Sequence, residues 1–186
     1  MVGYVATRPP RVLLIGDSIT LQYADSVRNE LRDVAVVKNI PENGHTSAYV
    51  VKRLEDWIAE DRWYHRLYRR WSVIQFNAGL HDLIHNVPAQ DYRAALTKAA
   101  DLLKQTKARV VFAETTFVPA GTPYRPEVQE EFRKIADDVM RQAAIPICPL
   151  RSVQAEQIPV DVHFTANGSA ALGRAVAECI KAELAH

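Results

Sequence analysis

The sequence predicts a three-layer α/β/α sandwich built on a five-stranded parallel sheet, and three observations predict it. Short apolar runs punctuate the chain: Val12-Leu13-Leu14-Ile15, Val34-Ala35-Val36-Val37, Ser72-Val73-Ile74-Gln75-Phe76-Asn77, Val110-Val111-Phe112-Ala113 and Ile145-Pro146-Ile147-Cys148. Largely apolar runs of this length read as strands buried on both faces, as a parallel sheet requires. Between them lie longer segments whose apolar residues recur at helical spacing. Strand and helix alternate five times over 186 residues, with no repeat, low-complexity tract or linker, so residues 1–186 read as one domain.

Residues 1–10 form a short arm ended by Pro9-Pro10. After the first strand, Tyr23, Val27 and Leu31 stand at i, i+4 and i+8, the buried stripe of an amphipathic helix. The second strand runs into a loop, Asn39 to Ser47, full of turn formers and helix caps. Val50, Leu54 and Trp57, flanked by Val51 and Ile58, mark the next helix. The third strand leads into Ala78-Gly79-Leu80-His81-Asp82, followed by a helix with Tyr92, Leu96, Ala99 and Leu103 on one face. Beyond the fourth strand, a long loop carries Pro119, Gly121 and Pro123. It delivers Pro126 to a first helical position, where its missing N–H costs nothing. Val128, Phe132, Ile135 and Val139 then form a stripe. Pro146 places the fifth strand at an edge. Residues 149–164 read as loop, and Leu172, Val176, Ile180 and Leu184 mark a last helix.

Composition removes several classes of function. Apolar residues make up 48% and charged residues 24%, with a net charge of +1, so no bulk field draws the protein to nucleic acid or to a membrane. No apolar run has the length of a membrane span. Trp63, Tyr64, Arg66, Tyr68, Arg69, Arg70 and Trp71 have the residue types of a nucleic-acid surface. With the charge near zero, they read instead as packed aromatics beside a solvated face. The first ten residues lack the basic and apolar regions of a signal peptide. Cys148 and Cys179 lie in apolar surroundings and read as small core residues rather than a bridge. A cytoplasmic location is expected on that basis.

The chemistry concentrates at Gly16-Asp17-Ser18-Ile19-Thr20, where the first strand ends and a helix begins. In an open α/β sheet, ligands bind at this end of the strands, and backbone N–H groups of the next helix stand nearby. This block resembles the first block of the SGNH (GDSL-type) hydrolases, whose serine is the nucleophile. The resemblance runs from residue 12 to residue 168. It implies a flavodoxin-like fold, Ser18 as nucleophile and Gly44 as a backbone donor to the oxyanion. His163 stands where the family has its base, just before the last helix, and Asn167-Gly168 follow as the family would have them. A serine hydroxyl needs such a base, and histidine titrates in the right range.

Two departures stand out. The family's third block is Gly-x-Asn-Asp, but this chain has Gly79-Leu80-His81-Asp82, with His81 in place of the asparagine. Asn77 lies two residues before Gly79, on the same face by the period-two rule. Asn77, His81 or both could then donate to the oxyanion, and Asn77 is favoured because an amide never titrates. In the fifth block Val160 fills the usual acid position, and Asp161 lies two residues before the histidine rather than three. Either the loop bends so that Asp161 reaches the imidazole, or a backbone carbonyl orients the ring. His81 and His85 at i and i+4, with Asp82 between, also resemble a zinc pair, but the sequence offers no third ligand.

The resemblance therefore implies a serine esterase with no metal or organic cofactor, acting on a small-molecule ester. A short chain with little room for a lid suggests small, acetyl-like acyl groups on a sugar or small alcohol. The alternative is an SGNH-fold binding module that has lost the chemistry.

Overall fold

The computed structural model describes residues 9–59 and 71–185. The aromatic and basic stretch at 60–70 and arm residues 1–8 lie outside the described residues. Five strands, β1 (Arg11–Ile15), β2 (Val36–Asn39), β3 (Val73–Phe76), β4 (Arg109–Ala113) and β5 (Ile147–Cys148), form one sheet in the order β2-β1-β3-β4-β5. All pairings are parallel, with Val12 opposite Val37 on one side and Val73 on the other. The helices are α1 (Ser18–Glu30), α2 (Ser47–Ala59), α3 (Leu80–Ile84), α4 (Ala89–Gln105), α5 (Gln129–Ala143) and α6 (Ala166–Leu184). α1 packs on α6, while α4 packs on α2 and α5. The α/β sandwich fold is thus as the alternation predicts, and the strand order reverses direction between β1 and β3. A crevice opens at such a switch point.

The predicted stripes are the buried ones. Tyr23, Val27 and Leu31 are enclosed, as are Val50, Leu54 and Trp57, and Tyr92, Leu96, Ala99 and Leu103. At the start of α5 the chain makes one 3-10 turn at Pro126–Val128, and Phe132, Ile135 and Val139 face the core. α1 and α6 approach closely at Gly173, where a Cβ would lie 2.4 Å from that of Ser26. Among the described residues, no helix is long and apolar enough to cross a membrane.

Two expectations are corrected. The second strand begins at Val36 rather than Val34, and it is not buried on both faces: Val34 is 40% and Val36 43% exposed. The cause is its place at the sheet edge, where only β1 pairs with it. The cysteines, expected as separate core residues, form a disulfide, with Cα atoms 5.9 Å apart across 31 positions. Their apolar neighbourhoods were legible in sequence, but the packing of α6 on β5 that brings them together was not. The cysteine part of the ground for a cytoplasmic location goes with that correction.

A bridge closing a loop of this length typically stabilises a fold by about 2–4 kcal/mol. Alkylation under denaturing conditions should modify neither cysteine without reductant and both with it. Reduction should lower the unfolding free energy by about that amount, as read by urea denaturation.

Candidate active site

β1 is buried along its whole length and delivers Gly16, Asp17 and Ser18 to the switch point. A Cβ at Gly16 would lie 2.1 Å from Thr20 Oγ1, so only glycine permits so tight a turn into the helix. Asp17 is the N-cap of α1, its Oδ1 accepting from the Ile19 N–H at 3.0 Å. The N–H of Ser18, at the first helical position, has no partner within the helix because of helix geometry. The buried Asp17 carboxyl is pushed up to about 6 by desolvation, against the backbone N–H bonds and the charge of His163 that favour ionisation.

His163 arrives from a tight turn ahead of α6. Ile158 N–H donates to the His163 carbonyl at 2.9 Å and Asp161 N–H to the Ile158 carbonyl at 3.1 Å. Val160 bends the chain with φ +55°, a conformation a β-branched residue rarely takes. That bend settles the position of the carboxylate: Asp161 Oδ1 stands 2.7 Å from His163 Nδ1 and also accepts from the His163 backbone N–H at 3.1 Å. These bonds from His163 hold the Asp161 carboxyl below its ordinary range, so it is ionised at neutral pH. An ionised partner fixes the tautomer: Nδ1 carries the proton, and Nε2 is left to accept from the Ser18 hydroxyl at 3.0 Å.

The predicted oxyanion donors fare differently. Asn77 follows directly on β3, its backbone N–H donating to the Ile15 carbonyl at 2.9 Å. β3 ends at Phe76, and Gly79 turns the chain with φ +143°, so the strand's alternation does not extend across residues 77–79. The Asn77 amide donates to the Ala113 carbonyl at 2.8 Å and ties the ends of β3 and β4 together. Gly44 approaches the end of β1 as closely as backbone allows, and its N–H donates to the Gly16 carbonyl at 2.9 Å. A Cβ there would lie 2.7 Å from that oxygen, so the glycine clamps two loops together and its N–H is already used. His81 lies in α3 among imidazoles, its ring 5.3 Å from that of His45 and 6.0 Å from that of His85. Burial first, then the charges of His45, His85 and His163, lower its pKa to about 4. It is therefore neutral at pH 7, and its Nδ1 has no hydrogen-bond partner among the described residues.

Two supporting carboxylates escaped the sequence. Asp82 is buried and accepts from the Ser47 N–H and hydroxyl, at 2.9 and 2.6 Å, pinning the start of α2 to α3. Glu42 accepts from Tyr49 Oη, Arg53 Nε and Trp57 Nε1, at 2.8, 3.1 and 3.0 Å, and so holds the loop bearing Gly44 and His45 against α2. An aspartate just ahead of a helix could have revealed the Asp17 cap, but no local signal marks Glu42. The Asp82 carboxylate of the zinc-like reading is committed to Ser47. Among the described residues, no group of three or more histidine, cysteine or acidic side chains is arranged to hold a metal.

A serine paired to an acid-backed histidine at the switch point of a five-stranded α/β sheet defines the class of SGNH-type ester hydrolases. The chain belongs to the GDSL-like lipase/acylhydrolase family, whose pattern matches residues 14–171. No curated protein matches the sequence. Among solved structures, TesA is 21% identical with a TM-score of 0.75, over 94% of this chain and 99% of that one. The lipase/acylhydrolase from Enterococcus faecalis is 19% identical with a TM-score of 0.77, covering 93% and 96%. A carbohydrate acetylesterase family member from Sinorhizobium meliloti is 16% identical with a TM-score of 0.76, covering 95% and 100%. At these identities the likeness is one of fold.

Asp17 makes the site's stability depend on pH. Its folded pKa, about 6, lies above the ordinary 3.8, so between those values the folded protein holds a proton that the unfolded chain releases. Its contribution is fully present at low pH and is lost as pH rises through that window, by roughly 3 kcal/mol for a shift of two units. Asp17→Asn keeps a capping oxygen and should remove this loss. Urea unfolding at pH 4 and pH 7 should show the variant gaining on wild type at the higher pH.

Proposed function

We propose that the chain is a serine esterase working through an acyl-enzyme, with Ser18 as nucleophile, His163 as base and Asp161 as the carboxylate that orients and charge-balances it. The observation that carries this reading is the unbroken chain of hydrogen bonds from Asp161 through His163 to Ser18. Ser18 Oγ attacks the ester carbonyl as its proton passes to His163 Nε2, and the imidazolium is stabilised by Asp161. The tetrahedral oxyanion accepts from the Ser18 N–H and from His81, whose neutral ring offers an N–H without carrying charge. His163 returns the proton to the leaving alcohol oxygen. Water, activated by the same imidazole, then clears the acyl group.

We read the acyl group as small, which agrees with the acetylesterases among the structural neighbours, one from Sinorhizobium meliloti and one an acetyl xylan esterase. The Cys148–Cys179 bridge is of a kind that persists in oxidising compartments. It favours such a compartment over the cytoplasm.

Wild type should hydrolyse p-nitrophenyl acetate and Ser18→Ala should not; equal turnover by both, or by neither, would support the binding-module alternative or another nucleophile. Asp161→Asn should cost about a hundredfold or more in kcat. The oxyanion assignment separates two residues. His81→Ala should lower kcat by about a hundred- to thousandfold with little change in KM. Asn77→Ala should instead lower stability by about 1–3 kcal/mol, through the Ala113 carbonyl it leaves unpaired, and largely spare the turnover of the folded fraction.

A further inference from the structure

His81, the side-chain oxyanion donor of the proposed mechanism, has no hydrogen bond at Nδ1 to hold its ring. That atom is buried and has no partner among the described residues. A histidine that must aim one ring nitrogen is ordinarily fixed by a bond to the other. The torsion that turns an imidazole on its Cβ is broad and roughly two-fold. A half-turn about it puts carbon where each nitrogen stood and takes the N–H away from the oxyanion. Something else has to choose between the two orientations.

Neighbouring rings are placed to do so. His85, at i+4, lies nearly parallel to His81, with ring centres 6.0 Å apart and planes 26° apart. His45 meets His81 from the loop after β2, at 5.3 Å and 75°, an edge-on contact in the range where ring quadrupoles attract. His45 is itself exposed. Its backbone takes the left-handed conformation, φ +49°, which is uncommon outside glycine. That conformation is anchored. The Gly44 N–H donates to the Gly16 carbonyl at 2.9 Å, and the His45 N–H to Asn43 Oδ1 at 2.8 Å. The Tyr49 ring meets that of His45 edge-on at 5.0 Å, and its hydroxyl donates to Glu42 at 2.8 Å. Contacts thus run without a break from the Glu42 carboxylate through Tyr49 and His45 to His81.

An exposed side chain contributes little to folding, so the anchoring of His45 calls for another reason. We infer that His45 is a positioning residue, whose ring fixes the orientation of His81 and keeps its N–H aimed at the oxyanion. This rests on the reading of His81 as oxyanion donor. The charges of His45 and of His163 both reach His81, which puts these ring contacts beside the Ser18–His163 pair. A donor stabilises an oxyanion only as far as it is oriented in advance, because a ring free to turn must be ordered again at the moment of reaction.

The test uses His45→Asn, which removes the ring and tolerates the left-handed backbone. The variant should melt within about 2 °C of wild type. On p-nitrophenyl acetate it should lose about tenfold in kcat with KM nearly unchanged, since the bond it disturbs tightens in the transition state. In a His81→Ala background the same change should cost less than about twofold, there being no ring left to aim. Equal losses in both backgrounds, or no loss with His81 present, would overturn the inference. A measurement without substrate separates this from failure of the oxyanion reading. In protein carrying isotope-labelled histidine, the NMR ring signal that vanishes in His81→Ala should be one sharp line in wild type. It should broaden or split in His45→Asn, and an unchanged line shape overturns the positioning role. A changed line shape upholds that role even where His81→Ala keeps full turnover, a result that sinks only the oxyanion reading.

Discussion

One hydrogen bond, 3.0 Å between Ser18 Oγ and His163 Nε2, joins residues 145 positions apart, and much of the fold exists to hold it. β1 must be paired on both sides and wholly buried so that the turn after it is rigid. α1 must start at Ser18, which the Asp17 cap enforces. α6 must lie against α1, which the glycine at 173 permits by letting the two backbones approach over Ser26. Gln22, one turn along α1, accepts from the Phe164 N–H at 3.4 Å and so ties the helix that begins at Ser18 to the residue after His163. A long-range contact of this kind is cheap to keep only where the elements that carry it are already packed.

The same logic explains why three carboxylates near the site do three different things. Asp161 is half exposed to solvent and faces an imidazole, so it stays ionised. Asp17 is buried as the N-cap of α1, where desolvation favours its neutral form. Asp82 is enclosed too, raised by burial and drawn back by Ser47, and acts as a rivet between α2 and α3. His81 follows the rule with opposite sign: burial and neighbouring imidazoles keep it uncharged. Environment, more than residue type, sets each role.

Much of this was legible in the chain. The helical stripes, the parallel sheet and the edge position of β5 follow from spacing and from Pro146. Ser18 and His163 were legible because their blocks sit at the end of the first strand and the start of the last helix. What depended on three-dimensional packing was not. The alternation that favoured Asn77 assumes that the strand continues, and it ends at Phe76. The displaced acid could not be placed without knowing that Val160 adopts a left-handed backbone. The disulfide needed the adjacency of β5 and α6, and the Glu42 hub gathers three donors that have no spacing rule in common.

The central claim is that the Ser18 hydroxyl is made nucleophilic by His163. Peptide mapping by mass spectrometry after reaction with diethyl p-nitrophenyl phosphate tests it most directly. A single diethylphosphoryl group on the Ser18 peptide of wild type, and almost none on His163→Ala under the same conditions, is the predicted result. An adduct on another residue, or labelling of Ser18 at the wild-type rate without the imidazole, would contradict it.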